Sequence, residues 1–143
     1  MNQREIIREF LDVRDGDTLP FTGFKARSRE DLPELFKLLG YTSGAEIGVC
    51  SGEYSESILK VNPDMRLLLV DPWTAYYSPW QFWVTTERAA NRLERTKERL
   101  APYKNVEFVR KTSLEAAAGV PDKSLDLVYI DGLHDFDNAM LDL

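Results

Sequence analysis

Two carboxylates and two glycines near the middle of the chain could together do chemistry. Glu46 and Gly48 begin a stretch that continues through Cys50 to Gly52, and Asp71 closes the next apolar run, Leu67-Leu68-Leu69-Val70. A short apolar segment that breaks at glycines lets backbone approach a ligand, and an acid at the tip of the following segment can take a ribose diol. This arrangement predicts a nucleoside pocket. Downstream, Asp131 follows another apolar run, and the lone histidine, His134, lies three positions further. On a turn entering a helix, that spacing brings both side chains toward one side of a pocket. A histidine there can take a proton from a hydroxyl acceptor. A carboxylate there can instead hold a divalent ion that lowers the acceptor's pKa. The plain alternative is that Asp131 caps the next helix and His134 lies on the surface.

The turn itself narrows the ligand. A dinucleotide fingerprint places glycine where this chain has Cys50. Glu46 and Glu53 would also repel a pyrophosphate by like charge. S-adenosylmethionine carries no phosphate, and its sulfonium and ammonium suit acidic strand tips. Glu46 would reach the ammonium directly or through water, and Cys50 reads as a small packed residue rather than a nucleophile.

Elements that could position these residues follow from periodicity. Residues 2–12 read as a short amphipathic helix through Ile6, Ile7, Phe10 and Leu11, and residues 13–27 as loop. Ser28, with Asp31 as its capping partner, starts a helix that Gly40 stops. Strands are expected at 45–49, 66–70, 106–110 and 125–130. Helices are expected at 53–61, at 81–101 and after Ser113. The charges of 81–101 read as a solvated face. Helices alternating with short apolar strands imply parallel pairing with right-handed crossovers. Trp73, Tyr76, Tyr77, Trp80, Phe82 and Trp83 cluster just after Asp71. Trp73 is expected against the cofactor, where cation–π attraction to a sulfonium is worth roughly 0.5–2 kcal/mol. Phe82 and Trp83 are expected to anchor the long helix on the sheet. Tyr76, Tyr77 and Trp80 stay open between lid, acceptor wall and core.

Four segments in order, Glu46–Ser55, Asp71 within LLLVDPW, Thr112-Ser113, and Leu125–His134, resemble the motifs of class I S-adenosylmethionine-dependent methyltransferases. The branch the chain is most similar to is the macrocin O-methyltransferase-like small-molecule enzymes. The resemblance covers roughly residues 40–143 and implies a Rossmann-like doubly wound sheet of order 3-2-1-4. It assigns Glu46, Gly48, Gly52, Asp71 and Ser113 to the cofactor, and Asp131 and His134 to catalysis. In the metal-dependent members Asp131 matches a magnesium ligand and His134 a base, so Mg2+ is implied as a second cofactor.

The pattern departs from the family after the fourth sheet strand. The acids that complete the metal site there come from a fifth strand, which this sequence lacks. The expected architecture is a helical segment, 1–40, followed by a cofactor-binding half-domain, 41–143, that ends early. A non-catalytic binding or interaction module and a nicotinamide-dependent oxidoreductase fragment are therefore the rival readings. An uncovered fourth strand would favour homo-oligomers.

Composition limits the remaining classes. The chain of 143 residues is 43% hydrophobic and 29% charged. Those fractions suit one ordinary globular domain. A net charge of −6 argues against a nucleic-acid partner. One cysteine allows no internal disulfide. The charged start MNQREIIREF is unlike a signal peptide, and no apolar run suits a membrane span. The sequence thus predicts a cytoplasmic protein acting on a small-molecule methyl acceptor.

Overall fold

Four of the predicted strands meet in one parallel sheet. The computed structural model describes residues 1–13, 28–78, 82–133 and 140. Strands β1 (Ser43–Ile47), β2 (Arg66–Val70), β5 (Val106–Val109) and β6 (Leu127–Ile130) lie in the order β5-β2-β1-β6. Counting sheet strands alone, this is 3-2-1-4, the Rossmann-like order. The predicted strand boundaries move slightly: β1 runs 43–47 rather than 45–49, and β6 begins at Leu127 rather than Leu125. The shift has local causes. Gly48 takes φ +88° and leaves the extended region. Asp126 turns its carboxylate back to the Thr42 and Ser43 amides, at 2.8 and 3.0 Å.

Alternation along the strands sorts side chains to two faces. Leu67 and Leu69 of β2 face helices α3 (Glu53–Val61) and α4 (Thr86–Leu100), packing with Leu59, Leu93 and Leu100. On the same side, Phe36 of α2 (Leu32–Leu38) joins Tyr54, Ile58 and Met65. Helix α1 (Gln3–Phe10) starts from an Asn2–Glu5 capping box. Ala45, Leu68 and Val70 face the other way, toward the short helix α5 (Ser113–Ala117). That face is thinly covered, so Val128 and Ile130 of β6 stay 53% and 39% exposed.

Two sequence-based assignments are corrected. The helix expected from Ser28 opens as a 3-10 turn at Arg29–Asp31 before α2, with the Ser28 amide donating to Asp31 at 3.0 Å. Pro33 in the first turn of α2 suits a helix start, because its missing N–H would have no partner there. The helix expected over 81–101 begins only at Thr86, capped by the Thr85 hydroxyl on the Arg88 amide at 3.2 Å. Residues ahead of it form a two-stranded antiparallel ribbon, β3 (Tyr76–Ser78) with β4 (Phe82–Val84). Aromatic and β-branched residues in that segment favour extended backbone over helix. Trp83 consequently does not anchor a helix: it is 70% exposed and packs on Tyr77, ring centroids 5.3 Å apart. The Phe82 side chain and Trp80 lie outside what is described.

Candidate functional site

The C-terminal ends of the sheet strands frame a cleft of about 220 Å³. In an open parallel sheet this edge is where ligands bind, since neighbouring connections diverge there. Its walls include Gly48, Cys50, Asp71, Trp73, Tyr76, Arg92, Lys111, Ser113 and Asp131.

Asp71 organises the floor. One carboxylate oxygen accepts the Cys50 amide at 2.9 Å and the other the Trp73 amide at 2.7 Å. Burial pushes its pKa up, and the amides of Cys50 and Trp73 and the charge of Arg92 oppose that rise. Cys50 and Trp73 both have positive φ, in the left-handed region. A side chain disfavours that region. Cys50 therefore stands in a glycine-like backbone conformation although it is not glycine. Its carbonyl accepts Trp73 Nε1 at 2.8 Å and Thr96 Oγ1 at 3.2 Å. The turn is thus held from β2, from the aromatic segment and from α4 together.

The two glycines have different duties. A Cβ on Gly48 would overlap the Asp131 carbonyl and come 2.7 Å from Gly132 Cα, so glycine there lets β1 and β6 converge at the cleft. Gly52, at φ +78°, precedes α3, and a Cβ would meet Thr96 Cγ2 at 2.9 Å. Gly48 lines the cleft whereas Gly52 does not. Gly52 instead permits α4 to lie close to the turn.

Glu46 also sits apart from the cleft wall. Its side chain is buried on β1, and Ser55 of α3 donates a hydrogen bond to its carboxylate. Burial lifts its pKa to about 7; Asp131 adds to the rise, while Ser55 and Arg29 oppose it. Ser55, which motif and periodicity left without a role, is the partner of this acid. The signal was its place two positions into α3, one helical turn from Gly52.

Ser113 is where expected, at the start of α5 on the cleft wall, and Thr112 caps that helix through the Glu115 amide at 3.3 Å. Arg92 and Lys111 are additions that periodicity could not find. Arg92 belongs to the charged helix read as a solvated face, yet it turns into the cleft and donates to the Tyr76 hydroxyl at 3.0 Å. Arg99 of the same face donates to the Ser51 carbonyl at 3.0 Å and pairs with Glu56 at 3.0 Å and Glu53 at 3.2 Å.

Asp131 reaches the cleft wall from the tip of β6, but its carboxylate accepts Arg29 Nη1 at 2.9 Å. Among the described residues no group of three or more His, Cys, Asp or Glu could hold a metal ion. The magnesium expectation for Asp131 thus finds no support among the described residues. His134 lies outside the described residues, so its geometry relative to Asp131 does not enter the site. For S-adenosylmethionine the fit is better. Each Asp71 oxygen keeps acceptor capacity beyond its one amide, as a ribose diol needs. Trp73 and Pro72 supply an apolar wall, and Thr112 and Ser113 supply polar groups.

Among the described residues, no helix is long and apolar enough to cross a membrane. No curated protein matches the sequence. Solved structures do. Cofactor-bound Rv0187 from MTB matches with 20% identity and a TM-score of 0.53, over 90% of this chain and 53% of that one. The O-methyltransferase TomG from Streptomyces achromogenes, involved in tomaymycin synthesis and in complex with SAM, matches with 20% identity and a TM-score of 0.52, over 90% and 53%. The SAH-bound methyltransferase PaMTH1 from Podospora anserina matches with 13% identity and a TM-score of 0.52, over 90% and 50%. At these identities the likeness is one of fold, and this chain spans about half the length of those proteins. Residues 45–143 match the family described as a methyltransferase domain. That match takes in more than half of the chain, every cleft-lining residue of the sheet edge included, and the chain belongs to the methyltransferase-domain family.

Proposed function

We propose that the protein takes part in S-adenosylmethionine-dependent methyl transfer to an oxygen of a small molecule such as a sugar or phenol. The observation that carries this reading is the Asp71 carboxylate at the cleft, held by two backbone amides beside Gly48, Trp73 and Ser113. The family supplies the reaction class. Solved structures of the same fold in complex with SAM or SAH support the cofactor.

Bound S-adenosylmethionine would supply an electrophilic methyl group on sulfonium. The chain's task is then positioning and the removal of at most one proton. Asp71 would hold the ribose hydroxyls, Trp73 would pack on the nucleoside, and Ser113 would face the adenine edge. Gly48 admits backbone to the ligand, and Gly52 sets the helix that follows. Glu46, ionised on meeting an ammonium, would take the amino-acid end after a small opening of the turn, directly or through water. Asp131 and His134 would serve the acceptor. On this reading residues 1–40 form a helical cover and residues 41–143 the cofactor-binding unit. Strand β6, whose one sheet neighbour among the described residues is β1, would offer its outer edge to a second copy.

Calorimetry with S-adenosylhomocysteine tests the assignment. Saturable binding by the wild type, lost or much weakened in Asp71→Ala, is the expected result. No heat with high micromolar ligand would sink it. An NADH fluorescence titration that saturates would favour the nicotinamide reading instead. Because the chain spans about half of its structural relatives, binding without turnover is the specific signature of a non-catalytic module.

A further inference from the structure

Trp73 and Tyr76 both line the cleft, and they differ in what they have left to offer a ligand. Trp73 is buried, its ring packs on Phe108 with centroids 6.0 Å apart, and its Nε1 is given to the Cys50 carbonyl. It can serve as the base of a ligand site. Tyr76 is only half-buried. On the ribbon it stands opposite Val84, which is fully buried, whereas the neighbouring pair, Tyr77 and Trp83, is exposed. Alternation along the ribbon therefore turns Tyr76 inward and Tyr77 outward. From α4, Arg92 Nη1 donates to the Tyr76 hydroxyl at 3.0 Å.

We propose that Tyr76, held by Arg92, is the aromatic cover of the nucleoside, and that Arg92 keeps the Asp71 carboxylate in the state that accepts ribose hydroxyls. The proposal rests on the methyl-transfer reading for the identity of the ligand. An aromatic ring stacks on any base, and a ring already fixed through its hydroxyl loses little freedom in doing so. Ala89 and Arg92, three positions apart on α4, both line the cleft, so one face of that helix belongs to the site. The charge of Arg92 has a second effect. Burial raises the pKa of Asp71, and beyond the Cys50 and Trp73 amides it is Arg92 that opposes the rise. A protonated Asp71 would lose an acceptor oxygen that a ribose diol needs. The other charged groups around it are Glu46 of β1 and Asp131 at the tip of β6, both acids, and Lys111 beyond β5 on the cleft wall. Glu53 and Glu56, which begin α3, are paired with Arg99.

Adenosine is the probe, because it carries the base and the diol without the amino-acid end that Glu46 would meet. Its binding to the full chain is followed by saturation-transfer NMR, beside calorimetry with S-adenosylhomocysteine. Saturable adenosine binding at pH 8 is expected, weakened about tenfold in Tyr76→Leu and about two- to threefold in Tyr76→Phe, which keeps the ring but not its anchor. Arg92→Met should bind more weakly too, and its affinity should fall more steeply from pH 8 to pH 5 than that of wild type or Arg92→Lys. A purely structural Arg92 would weaken binding without changing that slope. Near-UV circular dichroism matching the wild type shows which variants fold. Intermolecular NOEs from the Tyr76 ring to adenosine protons test the cover with no substitution at all. Absence of those NOEs, equal binding in Tyr76→Leu, or equal slopes in wild type and Arg92→Met overturns the proposal. If adenosine binds as described but S-adenosylhomocysteine does not, the methyl-transfer reading fails and the nucleoside cover stands. If S-adenosylhomocysteine binds and adenosine does not, the cover fails and the methyl-transfer reading stands.

Discussion

Asp71 accepts the Cys50 amide at 2.9 Å, so the acid at the end of β2 holds the turn that ends β1, 21 positions earlier. The same carboxylate takes the Trp73 amide at 2.7 Å. One side chain therefore stabilises two residues with left-handed backbone, Cys50 and Trp73, while standing on the cleft wall. Ligand binding and local stability are coupled through it. Asp71→Ala is expected to lower unfolding free energy by about 1–3 kcal/mol, since two partly buried amides lose their acceptor. Urea denaturation measures the loss. Asp71→Asn, which keeps one acceptor oxygen, should fall between Ala and wild type.

Glycine is needed at position 48 for two reasons at once, backbone sign and space. Any side chain there would meet both φ +88° and the Asp131 backbone. Gly48→Ala should therefore cost about 2–5 kcal/mol. Gly40 also has positive φ, but open space surrounds the position its Cβ would take. Gly40→Ala should cost only the backbone penalty, about 1–2 kcal/mol. Comparable losses in the two variants, read from denaturant midpoints, would show that β1 and β6 do not converge as described.

Glu46 gives stability a pH dependence of unusual sign for a carboxyl group. Its folded pKa is about 7, above an ordinary value of 4.5, so the folded protein holds a proton that the unfolded chain has released. The contribution is fully present below pH 4.5 and is lost as pH rises through 7. Its size is about 3 kcal/mol if the shift is fully expressed. Chemical denaturation between pH 5 and pH 8 should show this decline in the wild type and a flatter profile in Glu46→Gln. Matching slopes would mean that Glu46 is ionised in the folded state at pH 5.

Arg99 ties α4 to the turn through one backbone carbonyl and two acids of α3. Arg99→Ala should destabilise by about 1–2 kcal/mol, mostly through the Ser51 carbonyl, because partly exposed ion pairs add little. Hydrogen exchange should quicken at residues 50–56 before elsewhere. An unchanged rate there would rule out the tie.

Trp73 and Trp83 should respond oppositely to substitution. Trp73 is 5% exposed and donates Nε1 to the Cys50 carbonyl. Trp73→Phe removes the shorter of the two bonds to that carbonyl, leaving it Thr96 Oγ1, and should cost about 0.5–1.5 kcal/mol. Trp83 stands out on the β3–β4 ribbon. Trp83→Ser should shift stability by about 0.5 kcal/mol or less, as surface substitutions do. Denaturant midpoints decide; a large loss at Trp83 would restore the helix-anchor reading.

Much of the fold was legible because parallel strands buried on both faces read as continuous apolar runs, as at Leu67–Val70. Glycine and proline marked the turns between them. The ribbon at Tyr76–Val84 was not legible. Its residues precede a strong helical pattern, and only cross-strand pairing, Tyr77 against Trp83, separates the two states. Boundaries at β1 and β6 moved because Gly48 and Asp126 form their contacts across the sheet, which periodicity does not carry.

For the site, local pattern alone pointed to the family and to the glycine turn, Asp71 and Ser113, which the fold brings to one cleft, because the strand-to-turn pattern that marks them is contiguous in sequence. Tertiary structure decided the rest. It placed Glu46 behind the cleft with Ser55, turned Arg92 inward from a charged face, and set Arg29 against Asp131. Each of those pairings joins residues on different elements, and pair electrostatics depends on distance and burial. Those quantities exist only after the chain has folded.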